Sequence, residues 1–247
     1  MATDSPVLIS RSIPFNILIS DSAILTCLWS FSALIIRDIL LATIAFTFLA
    51  VLSVQSGNSY SETEKKIILM MGDSISAAYG MSLEEGWVEL LNQSLKDNEI
   101  QYRIVNASIS GETSAGGRRR LDNLLEKYRP DIVVIELGGN DGLRGYPIDQ
   151  LKTNLVSMIQ SSLDSSAQVL VLPMEIPPNY GSRYTSRFRN AFIKATQETG
   201  AILGPFILKD VALNRSLMQA DGIHPQRSAQ PIIREAVLKA LLPLLDQ

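Results

Sequence analysis

Ser74, Asp221 and His224 are residue types that together could perform nucleophilic catalysis. His224 is the only histidine among the 247 residues, and an imidazole, with a reference pKa of ~6.5, is the side chain best suited to move a proton near neutral pH. The three-residue spacing lets one turn of chain bring the Asp221 carboxylate to one ring nitrogen while the other nitrogen faces a serine. Ser74, which follows Gly72 and Asp73, is then a candidate nucleophile with His224 as its base.

Each of these signals also has an ordinary structural interpretation. A lone histidine in a surface loop is more often structural than catalytic, and residues 72–74 could form a simple turn between a strand and a helix. Residues 138–141 (GGND) could be turn residues or a weak phosphate-binding nest, although the dinucleotide fingerprint and the P-loop lysine are both missing. The catalytic interpretation therefore depends on whether the fold brings these segments together.

Five short apolar runs, typical of strands buried on both faces, alternate with helical patterns along the chain. The predicted strands are residues 65–71, 102–107, 131–137, 168–174 and 201–206. The predicted helices, the first preceded by a capping box of Ser82 and Glu85, are residues 87–96, 118–128, 148–163, 188–199 and 228–245. This alternation predicts right-handed β-α-β units and a parallel sheet covered by helices on both faces.

Ligands bind beyond the carboxyl ends of the strands in such sheets, and the candidate segments fall there. Residues 72–74, 108–111 and 138–141 follow the first three predicted strands, and Asp221 and His224 lie in the loop before the last helix. We therefore expect these segments to meet at one edge of the sheet.

The tetrahedral intermediate of acyl transfer also needs hydrogen-bond donors for its oxyanion. Backbone N–H groups after Ser74 and near Gly111 are candidates, because a glycine allows close approach of the backbone. The Asn140 side chain offers an uncharged, directional donor. The usual α/β-hydrolase elbow, G-x-S-x-G, is not met at residues 72–76, which indicates a different serine-hydrolase scaffold.

With these residues in place, the chain resembles the GDSL or SGNH hydrolase family, and most of all its bacterial periplasmic branch of multifunctional acyl-CoA thioesterase, protease and lysophospholipase, or arylesterase. The similarity rests on GDSISAAYGM (72–81), VNASISGETS (105–114), ELGGNDGLRG (136–145), PPNYGSRY (177–184) and DGIHPQRSAQP (221–231). Ala78 and Gly80 depart from the family pattern after the nucleophile, so the resemblance does not fix a preference for acyl-chain length.

The resemblance implies a flavodoxin-like three-layer α/β/α sandwich with a central parallel sheet of about five strands. The implied site has a serine nucleophile, a histidine base, an aspartate that orients the base, and an oxyanion hole: Ser74, His224, Asp221, and the Ser74 amide with Gly111 and Asn140. Small acyl esters, acyl thioesters or lysophospholipids would be hydrolysed through an acyl-enzyme, without cofactor or metal. An acyltransferase using the same triad and a non-catalytic lipid-binding module stay open as alternatives.

Composition restricts the other classes of function. A formal net charge of −3 provides no positive field for a nucleic-acid backbone, so we expect no nucleic-acid partner. Cys27 is the only cysteine and lies far in sequence from the only histidine, which argues against a zinc site and excludes an intrachain disulfide.

Residues 1–63 are predicted to be a separate N-terminal region and residues 64–247 the hydrolase domain. Two apolar runs, 22–36 and 39–54, are each shorter than the ~20 residues that comfortably span a bilayer. Small and polar residues follow the second run, as in a signal peptide. Residues 57–66 then form a polar linker.

Three interpretations of this region stay open. It could be a secretory signal peptide, extended by a start codon assigned too far upstream, with cleavage after Ser53 or Ser56. It could be an uncleaved membrane anchor or helical hairpin through residues 22–54, or a pair of buried helices. The first two predict a periplasmic or secreted domain, free or anchored to a membrane, and we expect a monomer.

Overall fold

The computed structural model describes residues 65–245 and, apart from them, Thr43. The chain divides into two units, Met1–Glu62 and Thr63–Gln247. The predicted signal peptide or anchor at residues 22–54 lies outside the described residues, apart from Thr43. Among the described residues, no helix is both long and apolar enough to cross a membrane.

The described domain is built on one parallel sheet. Its strands are β1 (Lys66–Gly72), β2 (Tyr102–Asn106), β3 (Ile132–Glu136), β4 (Gln168–Val171) and β5 (Ile202–Leu203). Their order across the sheet is β2-β1-β3-β4-β5, and every neighbouring pair is parallel. This is the flavodoxin-like order, whose direction reverses between β1 and β3.

Helices cover both faces of the sheet. They are α1 (Trp87–Asp97), α2 (Ser114–Tyr128), α3 (Gly139–Leu143), α4 (Ile148–Asp164), α5 (Ser182–Thr199) and α6 (Gln230–Leu245), with single 3₁₀ turns at Leu83–Glu85, Pro178–Tyr180, Arg215–Leu217 and Arg227–Ala229. Helices α1 and α6 pack together on one face, whereas α2, α4 and α5 pack side by side on the other. The predicted three-layer α/β/α architecture is therefore confirmed.

Several elements begin or end at positions that differ from the predicted ones. Strand β4 ends at Val171 because Pro173 has no N–H to continue the ladder. Helix α2 begins four residues earlier than predicted, since Thr113 Oγ1 accepts from Gly116 N and caps its first turn. The sequence does not reveal this start because glycines are unfavourable inside helices. Gly117 is nevertheless needed, since a Cβ there would lie 2.4 Å from Leu137 Cδ1.

Two further elements were not foreseen in their observed form. Residues 139–141, for which turn residues were one interpretation, form the start of α3, and α5 begins at Ser182 rather than at residue 188. The central strands are buried, β3 along its whole length and β1 from Ile68 onward. They place the residues that follow them at one fixed edge of the sheet.

Candidate active site

The serine, histidine and aspartate predicted from the sequence form one hydrogen-bonded chain beyond the end of β1. His224 Nε2 lies 2.8 Å from Ser74 Oγ, and His224 Nδ1 lies 2.6 Å from Asp221 Oδ2. An ionised carboxylate can only accept, so Nδ1 carries the proton and Nε2 is left to accept from the serine. This arrangement can remove a proton from the Ser74 hydroxyl.

The turn that carries Asp221 also keeps its carboxylate ionised. Its Oδ1 accepts from the backbone N–H groups of Ile223 at 2.9 Å and His224 at 3.0 Å. Burial acts to raise the pKa of Asp221, but hydrogen bonds from the backbone and side chain of His224 and from the Ile223 N–H outweigh it and lower that pKa to about 2. Asp221 therefore orients the imidazole and can stabilise its protonated form.

Gln219 and Tyr79 connect the histidine loop to the loop after the nucleophile. Gln219 Nε2 donates to Tyr79 O at 2.8 Å and to Pro225 O at 3.1 Å, and Gln219 N donates to His224 O at 2.7 Å. The Tyr79 ring lies over the imidazole, with ring centroids 4.2 Å apart and planes tilted by 32°. These contacts set the height and tilt of the base relative to Ser74.

The candidate oxyanion donors lie in the segments that follow β1, β2 and β3. Within the described part of the chain, neither Ser74 N nor Gly111 N has a hydrogen-bond acceptor. Gly111 has φ +78°, a conformation that residues with a Cβ rarely adopt. The loop that carries it is joined to the end of β1, because Ile109 N donates to Gly72 O at 3.1 Å. Both N–H groups are therefore free to bind an oxyanion.

Asp73 holds the third candidate donor, the side-chain amide of Asn140. Asn140 Nδ2 donates one N–H to Asp73 Oδ2 at 3.2 Å, which leaves its second N–H available. The buried Asp73 also accepts from Ile75 N at 3.0 Å. Burial raises the pKa of Asp73 to about 6, although the Ile75 hydrogen bond, the nearby charge of His224 and the Asn140 amide act in the opposite direction.

A second carboxyl group, that of Glu136, lies beneath this turn. Glu136 is fully buried, and its Oε2 accepts from Ser76 Oγ at 2.5 Å and, more weakly, from Asp73 N at 3.4 Å. Its Oε1 has no hydrogen-bond partner within the described part of the chain. Burial, and then the charge of Asp73, raise the pKa of Glu136 well above its usual range, so Glu136 holds the nucleophile turn as a neutral acid.

A buried polar network joins the start of α2, just after the Gly111 loop, to α3, which carries Asn140. Asp141 accepts from Ser114 N at 2.8 Å and from Ser114 Oγ at 2.6 Å, and Asn154 Nδ2 donates to Ser114 Oγ at 2.9 Å. Because Ser114 is the first residue of α2, the Asp141 carboxylate also lies at the positive end of that helix. The network fixes the spacing between the second and third candidate oxyanion donors.

The five site residues predicted from the sequence thus lie on adjacent strand ends and on the loop before α6. Sequence reasoning assigned no role to the residues that hold them, namely Asp73, Tyr79, Glu136, Asp141 and Gln219. A signal existed for Glu136, since a carboxylate inside the apolar run 131–137 has to be neutral or paired. The contacts of Tyr79 and Gln219 cross 140 positions of sequence and leave no local pattern.

Residues 70–230 match the GDSL-like Lipase/Acylhydrolase family, a range that includes all five predicted site residues. The chain belongs to this family. The predicted SGNH-type fold and family resemblance are thereby confirmed.

Relatives with known names are similar over most of the domain. The chain is 50% identical over 178 residues to Esterase TesA of Pseudomonas aeruginosa, an alignment that covers 72% of this chain and 89% of the relative. It is 41% identical over 179 residues to Thioesterase 1/protease 1/lysophospholipase L1 of Escherichia coli, covering 72% and 85%. A crystal structure of the psychrotrophic esterase EstA from Pseudoalteromonas sp., inhibited by monoethylphosphonate, superposes with a TM-score of 0.71 at 44% identity, covering 74% of this chain and all of that one.

Proposed function

We propose that this protein is a serine hydrolase that cleaves carboxylic esters and thioesters through an acyl-enzyme on Ser74. The observation that carries the proposal is the Ser74–His224–Asp221 hydrogen-bonded chain beside backbone N–H groups without acceptors in the described domain. The names of the relatives from P. aeruginosa and E. coli, an esterase and a thioesterase with lysophospholipase activity, support the same bond types.

In the acylation step, Ser74 Oγ attacks the carbonyl carbon of the substrate while His224 Nε2 takes the hydroxyl proton. Asp221 stabilises the imidazolium that forms. The carbonyl oxygen becomes an oxyanion, which accepts from Ser74 N–H, Gly111 N–H and the free N–H of Asn140 Nδ2. The intermediate then collapses, and His224 returns its proton to the departing alcohol or thiol.

In the second step a water molecule takes the place of the leaving group. His224 removes a proton from this water as it attacks the acyl-enzyme, and the same donors stabilise the second oxyanion. The imidazolium then protonates Ser74 Oγ as the carboxylic acid leaves, which restores the starting state. An alcohol in place of water would make the reaction an acyl transfer, so product analysis with and without an added alcohol separates the two outcomes.

Exposed apolar side chains around the site suit an acyl chain. Tyr79, Ile109 and Ile223 are 49%, 50% and 42% exposed, and each lies on a loop that carries a site residue. Covering them with an acyl chain removes apolar surface from water, which favours binding by roughly 25 cal/mol per Å². These three side chains are exposed rather than enclosed, which supports binding of acyl chains of several lengths.

Replacing the nucleophile tests the proposal directly. We expect Ser74→Ala to abolish hydrolysis of a p-nitrophenyl ester and labelling by a fluorophosphonate probe, with the melting temperature unchanged. Ser186→Ala, which removes an exposed hydroxyl from α5, should retain both signals. Wild-type turnover by the Ser74 variant would overturn the assignment of the nucleophile.

We also propose that the domain works in the periplasm or outside the cell, as the apolar runs before it suggest, and that it is a monomer. Mass spectrometry of the protein from its native host should give a mature N-terminus after Ser53 or Ser56, and gel filtration should give the mass of one chain. An intact N-terminus in the membrane fraction would favour the anchor instead, and one in the cytosol would contradict both.

A further inference from the structure

Arg144 carries a positive charge beside the candidate oxyanion hole that no carboxylate neutralises. Its Nη2 donates to the Gly111 carbonyl at 3.2 Å, and the residue is exposed at the end of α3. Within the described part of the chain it forms no ion pair. One contact to a carbonyl uses a single N–H of the five that a guanidinium offers, so most of its binding capacity is free.

The acidic groups near Arg144 in the sequence or beside Gly111 are engaged elsewhere. Both oxygens of Asp141 accept from Ser114, and the largely buried Glu112 forms a 2.7 Å ion pair with Arg120. Among residues 65–245, the guanidinium therefore lies beside Gly111 without a carboxylate partner.

Two tyrosines hold the turn that carries this arginine. Tyr180 Oη donates to the carbonyl of Leu143 at 2.8 Å, and Tyr184 Oη lies within hydrogen-bond distance of the carbonyls of Tyr146, at 3.1 Å, and Gly142, at 3.3 Å. Carbonyls on both sides of Arg144 are thus fixed. A charged side chain on a braced turn loses less conformational entropy when it binds an anion than one on a free loop.

We propose that Arg144 is an anion subsite that binds a phosphate group on the leaving group of the substrate. The inference rests on the proposed hydrolase function and narrows its substrate class. A guanidinium matches phosphate oxygens with two parallel hydrogen bonds. The favoured substrates are then acyl esters of glycerol phosphates, the arrangement found in lysophospholipids.

The reach of the arginine decides which phosphates it can bind. Three covalent bonds separate Gly111 N from Gly111 O, so Arg144 Nη2 lies within about 7 Å of that candidate oxyanion donor. In a 1-acyl glycerophospholipid about six bonds separate the ester carbonyl carbon from phosphorus, an extended span of about 7 to 8 Å. The phosphate of such a substrate can therefore reach Arg144 while its carbonyl oxygen occupies the oxyanion hole.

An acyl-CoA thioester does not meet this condition when extended. About fourteen bonds separate its carbonyl carbon from the nearest phosphorus, a span of about 17 Å. Its diphosphate then lies well beyond Arg144. The subsite consequently favours glycerol phosphate esters over coenzyme A thioesters.

The test compares two substrates that differ only in the phosphocholine headgroup, which one has and the other lacks. The ratio of kcat/KM for 1-palmitoyl lysophosphatidylcholine to that for 1-palmitoylglycerol, both presented in the same detergent micelles, measures the contribution of the headgroup. We expect Arg144→Gln to lower this ratio at least tenfold, mainly through a higher KM for the lysophospholipid. Arg144→Lys, which keeps the positive charge but not the two parallel N–H donors of the guanidinium, should lower this ratio less.

Arg103→Gln is the matched control, since it removes the same charge from the amino end of β2, at the opposite edge of the sheet. It should leave the ratio within twofold of the wild type. An unchanged ratio in Arg144→Gln would overturn the subsite, and so would an equal fall in kcat on both substrates, which would make Arg144 a positioning residue for Gly111. Absence of wild-type hydrolysis of either substrate and of a p-nitrophenyl ester would instead contradict the proposed function.

Discussion

The segments that carry Gly111 and Asn140 are held by a buried polar network among helices α2, α3 and α4, whereas the histidine and its aspartate lie on an exposed loop. In the oxyanion half, comprising the loops with Gly111 and Asn140, Ser114 and Asn154 are fully buried and Asp141 is 4% exposed. In the base half, comprising residues 219–225, the side chains of His224 and Asp221 are 16% and 39% exposed. The residues that support the oxyanion half belong to the core, whereas the base half lies on the surface.

Because of this difference, substitutions in the two halves should have different effects. A substitution in the buried network leaves donors or acceptors without partners, and such groups lower the stability of the fold. A substitution in the base half exposes its former partners to water, which satisfies them. We therefore expect changes in the oxyanion half to affect stability first, and changes in the base half to affect rate with little loss of stability.

Removal of the base should give the largest effect. His224→Ala is expected to lower kcat/KM for a p-nitrophenyl ester by at least about 10⁴-fold, because no other imidazole exists to take the Ser74 proton. Its melting temperature should stay within a few degrees of the wild type. Steady-state kinetics and a thermal melt check both parts, and a large loss of stability would contradict the peripheral character of the base half.

Loss of the buried Asp141 carboxylate should give the next largest effect, and this effect should be on stability rather than on activity. Asp141→Ala removes the acceptor of two hydrogen bonds from Ser114, so the free energy of unfolding should fall by about 3 kcal/mol. The control is Asp149→Ala, whose side chain is 90% exposed in its ion pair with Arg187 and should cost less than about 1 kcal/mol. Equal losses in the two variants, measured by urea denaturation, would remove the distinction.

The raised pKa of Asp73 predicts a pH dependence of stability. Because the folded state holds this proton up to about pH 6 and the unfolded state releases it near pH 4, the folded state binds more protons between those values. The free energy of unfolding should therefore decrease as the pH rises from about 4 to about 6, with Asp73 contributing up to about 3 kcal/mol. Glu136, whose pKa is also raised, acts in the same direction. The lowered pKa of Asp221 acts in the opposite direction but below about pH 4, outside this window.

Asp73→Asn isolates that effect. Asparagine cannot titrate, yet its carbonyl oxygen can still accept from Asn140. Urea denaturation at pH 4, 5 and 6 should give a flatter profile for the variant than for the wild type. Parallel profiles would place the titration on another group.

The smallest effect is expected at Gln219, which links the histidine loop to the loop that follows Ser74. Gln219→Ala removes the hydrogen bonds to Tyr79 O and Pro225 O but keeps the backbone bond to His224. Activity should fall about threefold to tenfold through kcat, with stability changed by less than about 1 kcal/mol. A fall in activity as large as that of His224→Ala would mean that the loop has no other support.

Short-range patterns in the sequence were enough to predict the parallel sheet and the edge at which the site lies. The apolar runs and caps identify β1 to β4, and the residue types of Ser74, Gly111, Asn140 and His224 restrict the chemistry. The start of α2 was missed, because Gly116 and Gly117 lower helix propensity, although the close packing of Gly117 against Leu137 requires a glycine there.

The supports of the site could not be predicted in the same way. The bonds of Asp73 to Asn140, of Asp141 to Ser114 and of Gln219 to the Tyr79 carbonyl join positions 67, 27 and 140 residues apart. Such pairings depend on the register of the strands and the angles of the helices, which no local pattern contains. They become visible only once the fold is assembled.

The docking of α6 on α1 also determines when the site is completed as the chain is made. Trp87 N donates to Gln230 Oε1 at 3.0 Å, which joins the start of α1 to the first residue of α6, just after the loop that carries His224. The ribosome releases the nucleophile and the oxyanion donors before that loop, because synthesis proceeds from the N-terminus. A nascent chain with β1 to β5 already folded therefore has a serine without a base, and hydrolytic capacity begins only when the segment after β5 has folded back onto α1.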